Sequence, residues 1–262
     1  MRAAAIAERA ALAERIAADA GRRALGFWHR RGELVSEAKG DVRDVVSRAD
    51  REIEAAIREA VSRDFPQDGF FGEELGAEPG KSGFIWVIDP IDGTTPFLAG
   101  HATWCVSIAV LAGERPAAAA IAAPALDALW VARRGGGAWL GSRRLAVDPQ
   151  LGIGGAMVAI GASHRSDPAA MGRVIERLME RGGIYYRNGS GALMLAQVGA
   201  GQLGGYFEPH MYSWDAMAGL LIVEEAGGRV GPYPAGSLDA GGRVIAAAPG
   251  VWDDLVAASE GA

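Results

Sequence analysis

The chain has 262 residues, of which 50% are hydrophobic and 22% are charged. This composition supplies enough apolar material for one large domain or two small ones, and it excludes a disordered acidic polymer. Acidic residues exceed basic ones, 32 against 26, which gives a formal net charge of −6. That balance argues against a general nucleic-acid binder, which normally carries a basic stripe.

The sequence also limits which metals and compartments are expected. A single cysteine, Cys105, excludes an internal disulfide framework and a zinc site built from cysteines. The four histidines show no paired metal-ligand spacing, so oxygen ligands, and hence magnesium, manganese or calcium, are favoured over zinc. Charges recur near the N-terminus, and no run of about 18 uncharged apolar residues occurs. We therefore expect a cytoplasmic protein without a membrane span.

Apolar periodicity predicts helices first and strands afterwards. The spacing of Ile6 and the following alanines predicts an amphipathic helix to about Trp28. Ser47 to Asp50 resembles a capping box, and an apolar stripe beyond it predicts a second helix to about Arg63. Five consecutive apolar residues predict a buried strand at 84–88. Further strands are predicted at 104–111, 117–123, 129–132 and 138–140, the last two joined by a glycine turn.

The second half of the sequence alternates between strand and helix patterns. The strands are predicted at 157–160, 184–186, 204–207 and 243–248. The helices are predicted at 168–181, 192–200 and 214–226, with a short helix at the C-terminus. We infer a layered α/β structure in two halves, 1–148 and 149–262, that divide near Asp148–Pro149.

The segment Asp89-Pro-Ile-Asp-Gly-Thr-Thr95 offers the clearest chemistry. A buried strand delivers Asp89 to its carboxyl end, and Asp92 presents a second carboxylate three positions later. If a short helix begins at Gly93-Thr94-Thr95, its free backbone N–H groups form an anion site. Metal-assisted phosphate-ester chemistry needs two carboxylates beside such a cradle. The alternative is a solvated turn, because Asp-Pro and Asp-Gly are common turn dipeptides.

Two further acidic sites flank this segment along the chain. Gly72-Glu73-Glu74 lies upstream, and Trp214-Asp215 lies downstream at a predicted helix start. Each has a simpler interpretation: the glutamates can form an exposed corner, and Asp215 can complement a helix dipole. Asp50 can merely close its capping box. Their combination in this order is harder to explain without a shared function.

These motifs, followed by Glu225-Ala-Gly-Gly228, resemble those of the inositol monophosphatase family. The family belongs to the magnesium-dependent, lithium-sensitive phosphatases, which include the fructose-1,6-bisphosphatases. The resemblance covers nearly the whole chain. It implies a five-layer α-β-α-β-α sandwich and a homodimer.

The resemblance implies two or three Mg²⁺ ions in each active site, with Mn²⁺ as a substitute. Glu73, Asp89 and the carbonyl of Ile91 would hold one ion. Asp89, Asp92 and Asp215 would hold a second, and Glu73 would share a third. The ions would neutralise the phosphate and lower the pKa of the attacking water.

Further roles follow from the same resemblance. Thr94, supported by Asp50, would activate the water alongside Glu73. The backbone N–H groups of Gly93 and Thr94, with Thr95 adjacent, would bind phosphate. The residues implied to contact substrate are Asp92, Ser190, Gly191, Glu208 and Asp215.

We therefore expect an Mg²⁺-dependent phosphomonoesterase that hydrolyses inositol monophosphate or a similar polyol or sugar phosphate. The same chemistry on histidinol phosphate, fructose 1,6-bisphosphate or a 3′-phosphonucleotide stays open, as does a non-catalytic regulatory protein on this fold. The expected partners are a small phosphorylated metabolite and a second copy of the chain, without nucleic acid or membrane. The residues without an assigned role are Pro96, which stands where inositol phosphatases commonly have Asn, and His101, Arg165, Arg187 and His210.

Overall fold

Two long helices form the first layer of the molecule. The computed structural model describes residues 2–32, 42–163, 165–234 and 238–261. Helix α1 spans Arg2–His29, as predicted, and helix α2 spans Val42–Asp64. Because α2 already includes Val42, Ser47 lies inside the helix and is not its N-cap, so the capping-box prediction is wrong. Val42–Val46 contains no glycine or proline to stop the helix before Ser47.

The first sheet lies beneath these helices and has the strand order β2-β1-β3-β4-β5-β6-β7-β8. Strand β1 runs parallel to β3, whereas the other neighbouring pairs are antiparallel. A short helix, α3 (Thr94–Ala99), connects β3 to β4. The strands are β1 (Gly69–Gly72), β2 (Gly76–Glu78), β3 (Phe84–Asp92), β4 (Cys105–Ala112), β5 (Arg115–Ala123), β6 (Ala128–Arg133), β7 (Gly137–Leu140) and β8 (Arg143–Arg144).

The second sheet is formed by the second half of the chain, with the order β10-β9-β11-β13-β12. Strands β10, β9 and β11 are parallel, and β13 is antiparallel to both of its neighbours. The strands are β9 (Met157–Ile160), β10 (Ile184–Tyr186), β11 (Gly205–Met211), β12 (Arg229–Val230) and β13 (Gly242–Ala247). The helices are α4 (Pro168–Glu180), α5 (Gly191–Gly199), α6 (Ser213–Glu225) and α7 (Pro249–Ala258).

The elements stack in five layers. Helices α1 and α2 cover the outer face of the first sheet, and α5 and α6 fill the space between the two sheets. Helices α4 and α7 cover the far face of the second sheet. This arrangement confirms the α-β-α-β-α sandwich.

The alanine-rich strand β5 shows how closely the layers approach. Ala118, Ala120 and Ala122 pack with the α1 and α2 side of the core. Ala119 and Ile121 face the opposite side and join the cluster that continues through α5 and α6 into the second sheet. Alanine is a weak strand former, but its small side chain lets helices approach the sheet closely on both faces.

The predicted long elements are confirmed, whereas several short strands were not predicted. Strands β1, β2, β8 and β12 have only two to four residues, too few to show a period. Strand β11 continues to Met211 instead of ending at Phe207. The change of sheet falls between Arg144 and Met157, and the core cluster that spans both sheets joins the two halves. The division into separate halves stays a prediction about domain organisation.

A membrane-spanning helix in the described ranges would have to be both long and strongly apolar. No helix there is both long enough and apolar enough to cross a bilayer.

A buried ion pair fixes α1 to the strand layer. Arg9 donates from Nε and Nη2 to the two oxygens of Asp68, both at 2.7 Å, and its guanidinium lies between the rings of Phe65 and Phe84. Asp68 also accepts from the indole nitrogen of Trp86 at 2.9 Å. Such a pair is costly to break, because the remaining charge stays buried without a partner.

We expect Asp68→Ala to lower the free energy of unfolding by about 3–5 kcal/mol. The matched control is Asp64→Ala, which removes an exposed pair with Arg15 and should cost less than about 1 kcal/mol. Urea unfolding followed by circular dichroism measures both. Equal losses in the two variants would contradict the role given to the Arg9–Asp68 pair.

Candidate active site

The parallel pairing of β1 with β3 brings two acidic residues to one edge of the first sheet. Gly72 is paired with Ile88, and the Glu73 backbone N–H donates to the Ile88 carbonyl at 3.2 Å. Glu73 and Asp89 are the next residues on the two strands. Because the carboxyl ends of parallel strands meet at one edge, their side chains emerge together.

A bulge near the end of β3 places Asp89 and Asp92 beside each other. The register against β4 shifts between these two residues. Pro90 has no N–H to leave unpaired in the bulge, and Asp89 Oδ1 accepts from the Ile91 N–H at 2.9 Å. Asp89 and Asp92 are only 1% and 8% exposed. Two carboxylates are therefore held in a largely buried position.

Helix α3 begins directly after Asp92. Its N-cap, Gly93, has φ of 93°, and a Cβ there would lie 2.9 Å from Ser190 Cβ. Both the backbone conformation and the available space therefore favour glycine. Thr94 and Thr95 are exposed at the first turn, and the Thr94 hydroxyl donates to the Ile91 carbonyl at 3.4 Å. The predicted phosphate-binding N–H groups lie at a real helix start.

Helix α5 holds the Asp92 carboxylate from the other side. The Ser190 hydroxyl, at the N-cap of α5, donates to Asp92 Oδ2. The Ala192 N–H donates to the same oxygen at 2.8 Å, and the Gly191 N–H donates to Oδ1 at 3.3 Å. The thiol of Cys105 lies 3.7 Å from Oδ2. Ser190 is fully buried, so its hydroxyl orients Asp92, whereas Gly191 lines the open cavity beyond it.

Asp215 completes an acidic cluster from the first turn of α6. A potential ligand oxygen from each of Asp89, Asp92 and Asp215 lies within 4.8 Å of those of the other two. The Ser107 hydroxyl on β4 donates to the Trp214 carbonyl at 3.1 Å, which ties the start of α6 to the first sheet. The end of β3 and the start of α6, which are far apart in sequence, thus meet at one point.

The carboxylates of the cluster raise one another's pKa values. Burial raises the pKa of Asp89 well above its usual value, and the charges of Glu73, Asp215 and Asp92 raise it further. The pKa of Asp215 is raised in the same way, first by burial and then by Asp92. Burial also raises the pKa of Asp92, although the hydrogen bonds from Ser190 and the α5 backbone oppose the rise. Desolvation in the cleft raises the pKa of Glu73 to about 7; a hydrogen bond with Asp89 opposes the rise, and the charges of its acidic neighbours add to it.

This donor set fits a hard divalent cation. All the ligand groups are oxygens, they converge, and they repel one another without a compensating charge. Magnesium or manganese is the chemical match. Asp89, Asp92 and Asp215 can bind an ion together, and Glu73 lies next to Asp89.

Asp50 is buried among other acidic residues. It sits inside α2 and is 4% exposed. Burial, followed by the charges of Glu73, Glu74 and Glu54, raises its pKa to about 8. Within the described ranges, no hydrogen bond joins Asp50 to Thr94. Its surroundings connect it to the loop that carries Glu73.

Glu54 is a site residue that the sequence analysis missed. Its fully buried carboxylate accepts from the Glu74 N–H at 2.9 Å and from Arg58 Nη2 at 2.6 Å. A Cβ on Gly72 would lie 2.0 Å from Glu54 Oε1, so Gly72 leaves room for this carboxylate. Glu54 therefore fixes the backbone on both sides of Glu73. The sequence signal that could have identified Glu54 is an acid beside the apolar stripe of α2, four residues before Arg58.

A cavity of about 130 Å³ opens beside the acidic cluster. Glu208, Gly191 and Arg187 line it together with Asp92 and Asp215. Glu208 accepts a hydrogen bond from the Tyr206 hydroxyl. The predicted substrate residues are thus gathered around one cavity, except for Ser190, which lies beneath Asp92.

The residues without an assigned role have different surroundings. Arg187 donates to the Ala162 carbonyl at 2.7 Å, and it lines an outer groove with Pro96 and His101. The guanidinium of Arg165 lies over the Tyr212 ring at 4.6 Å. His210 Nε2 lies 2.9 Å from the Ala240 carbonyl oxygen.

Comparison with known proteins agrees with this geometry. Residues 6–260 match the model of the Inositol monophosphatase family. The chain belongs to this family. A relative named Nus factor SuhB from Haemophilus influenzae is 36% identical over 249 residues, covering 94% of this chain and 93% of its own. An inositol-1-monophosphatase from Rhizobium meliloti is 38% identical over 188 residues, covering 71% of each chain.

Solved structures of the family share the whole fold. SuhB of Mycobacterium tuberculosis is 32% identical with a TM-score of 0.81, covering 96% of this chain and 95% of its own. An inositol monophosphatase from Anabaena is 30% identical with a TM-score of 0.80, covering 96% and 94%.

The role of Glu54 predicts a metal-binding defect in Glu54→Gln. An amide cannot accept from Arg58 and the loop N–H groups as a carboxylate does, so the Glu73 loop should loosen and stability should fall by about 2 kcal/mol. We expect the Mg²⁺ concentration that gives half of the thermal stabilisation to rise severalfold. The control is Glu59→Gln, at an exposed acid on the same helix, which should leave that concentration unchanged. An unchanged value in Glu54→Gln would show that the loop is held by other contacts.

The raised pKa values predict how stability depends on pH without metal. The pKa values of Asp50 and Glu73 rise from 3.8 and 4.5 to about 8 and 7. The folded protein therefore binds these protons more tightly than the unfolded chain does, and stability is lost as pH rises from about 4 to 8. In EDTA we expect Tm to fall between about pH 5.5 and 8. Added Mg²⁺ should raise Tm more at the higher pH, and a metal effect of equal size at both values would contradict this account.

Proposed function

We propose that this protein is an Mg²⁺-dependent phosphomonoesterase acting on a small polyol or sugar phosphate such as inositol monophosphate. The observation that carries the proposal is the convergence of Asp89, Asp92 and Asp215 beside the first turn of α3. One cleft thereby combines a cation site, an anion cradle and a cavity for the alcohol portion of the ester.

The proposed division of roles follows the geometry. Asp89, Asp92, Asp215, Glu73 and the Ile91 carbonyl would hold the metal. Magnesium bound there would neutralise phosphate charge and lower the pKa of the attacking water.

The chain's own groups would orient the reactants. The N–H groups of Gly93, Thr94 and Thr95 would bind the phosphate oxygens. Glu73 and the Thr94 hydroxyl would orient the water, while Gly191 and Glu208 would contact the alcohol portion. Asp50 would act on Glu73 through charge, and its support of Thr94 stays part of the proposal.

The names of the relatives support the phosphatase function and one alternative function. Inositol-1-monophosphatases are among them, and a relative from Aquifex aeolicus, 34% identical, is named fructose-1,6-bisphosphatase/inositol-1-monophosphatase. Others are named Nus factor SuhB, which favours a regulatory role as the second candidate. The complete set of acidic residues favours catalysis. The first proposal includes a homodimer that binds no nucleic acid and an activity that lithium inhibits.

The metal-dependent function is tested with Asp89→Asn. Wild-type protein should release phosphate from myo-inositol 1-phosphate with Mg²⁺ or Mn²⁺, and not in EDTA. Asp89→Asn should lose at least about 10³-fold in kcat, because Asp89 is proposed to bind the metal. Its metal-free Tm should stay equal or rise, since one repelling carboxylate is gone.

The outcomes separate the two candidates. Phosphate release by Asp89→Asn near the wild-type rate would mean that the metal site is misplaced. A folded wild-type protein that binds Mg²⁺ in a thermal titration, yet hydrolyses no phosphate ester, would favour the regulatory role.

A further inference from the structure

The hydroxyl of Tyr206 reaches the carboxylate that faces the substrate cavity. Tyr206 is fully buried on β11, paired with Ala159 on β9 and with Ala246 on β13. Glu208 is two residues further along, so both side chains leave the same face of the strand. The hydroxyl donates to Glu208 Oε2. A rigid ring in the centre of the second sheet thus holds a flexible carboxylate at the rim of the cavity.

Two glycines make room for this pair. A Cβ on Gly161 would lie 2.2 Å from Glu208 Oε2 and 2.4 Å from the Tyr206 hydroxyl oxygen. A Cβ on Gly191 would lie 3.1 Å from the same hydroxyl oxygen. Neither glycine has a positive φ, so space, and not backbone conformation, accounts for them. The surrounding backbone therefore closes tightly around the Tyr206–Glu208 hydrogen bond.

The hydrogen bond fixes how Glu208 meets a ligand. Because Oε2 accepts from Tyr206, the side-chain torsions of Glu208 are set before a ligand arrives, which removes an ordering cost from binding. The other oxygen, Oε1, accepts no hydrogen bond from the residues that the structure describes. Glu208 lines the cavity together with Asp92 and Asp215, so its free oxygen is available there.

A ligand hydroxyl is a suitable donor to Glu208. Burial raises the pKa of Glu208, the hydrogen bond from Tyr206 opposes the rise, and the charges of Asp92 and Arg187 act in opposite directions. Asp92, Asp215 and Arg187 line the same cavity. A hydroxyl can donate to the free carboxylate oxygen without bringing a further charge into the cavity.

We propose that Tyr206 is a positioning residue that holds Glu208 to accept a hydrogen bond from a hydroxyl of the substrate. Tyr206 thereby favours phosphate esters whose alcohol portion carries a hydroxyl within reach of Glu208. This inference rests on the proposed phosphatase function. It assigns a positioning role to a buried tyrosine whose hydroxyl, among the residues that the structure describes, donates to Glu208 and not to a metal ligand.

The first test compares two esters in Tyr206→Phe at saturating Mg²⁺. Myo-inositol 1-phosphate offers hydroxyls to Glu208, and p-nitrophenyl phosphate offers none. We expect KM for the inositol ester to rise about tenfold with little change in kcat, and kcat/KM for the nitrophenyl ester to fall less than about threefold. The control is Tyr185→Phe, at an exposed tyrosine, which should leave both esters unchanged.

The second test is a double-mutant cycle with Glu208→Gln. If Tyr206 acts through Glu208, adding Tyr206→Phe to Glu208→Gln should cause little further loss on the inositol ester. Gly161→Ala displaces the same hydrogen bond without changing either residue and should show the same selective rise in KM. Its control is Gly172→Ala, where a Cβ meets nothing within 4 Å. Gly161→Ala also keeps the test available if Tyr206→Phe does not fold.

Equal losses on both esters, a change in kcat alone, or fully additive losses in the cycle would overturn the positioning role and leave the phosphatase proposal intact. Failure of the wild-type protein to hydrolyse either ester with Mg²⁺ would overturn both. A selective rise in KM that disappears in Glu208→Gln supports the inference.

Discussion

The site depends on the way the Asp92 carboxylate is held. Asp92 belongs to the end of β3 in the first sheet, but its hydrogen bonds come from the N-cap and first turn of α5 in the middle layer. A buried carboxylate needs such donors, and the start of a helix supplies N–H groups that have no other partner. The same contact fixes α5 against the loop that leads into α3. The acidic cluster, the phosphate cradle and the cavity therefore share one support.

Mutual repulsion is the cost of this arrangement. Burial and neighbouring charges raise the pKa of Asp89, Asp215 and Glu73 together, so the metal-free site favours protonated carboxyls. A divalent cation reverses that preference. The repulsion between carboxylates that destabilises the metal-free cluster also favours the binding of a small, highly charged ion.

Close approach is the other recurring feature of the site. Gly72 leaves space for Glu54 beneath the Glu73 loop, Gly93 leaves space for Ser190 at the start of α3, and Gly161 leaves space for the Tyr206–Glu208 pair. In each case a polar side chain from a distant part of the chain occupies the volume that a Cβ would fill. These side chains position the groups that would contact metal, phosphate or substrate.

The sequence by itself determined the long elements, the layered α/β class and the acidic residues of the site, because those depend on local periodicity and on a short ordered set of motifs. It could not determine the short strands β1 and β2, whose few residues show no period, or the true start of α2. Only the tertiary structure decided that Ser190 supports Asp92, and that Glu54 and Tyr206 position Glu73 and Glu208. Those contacts join residues from different elements, some nearly 100 positions apart, and their geometry exists only after the two sheets have packed around the middle helices.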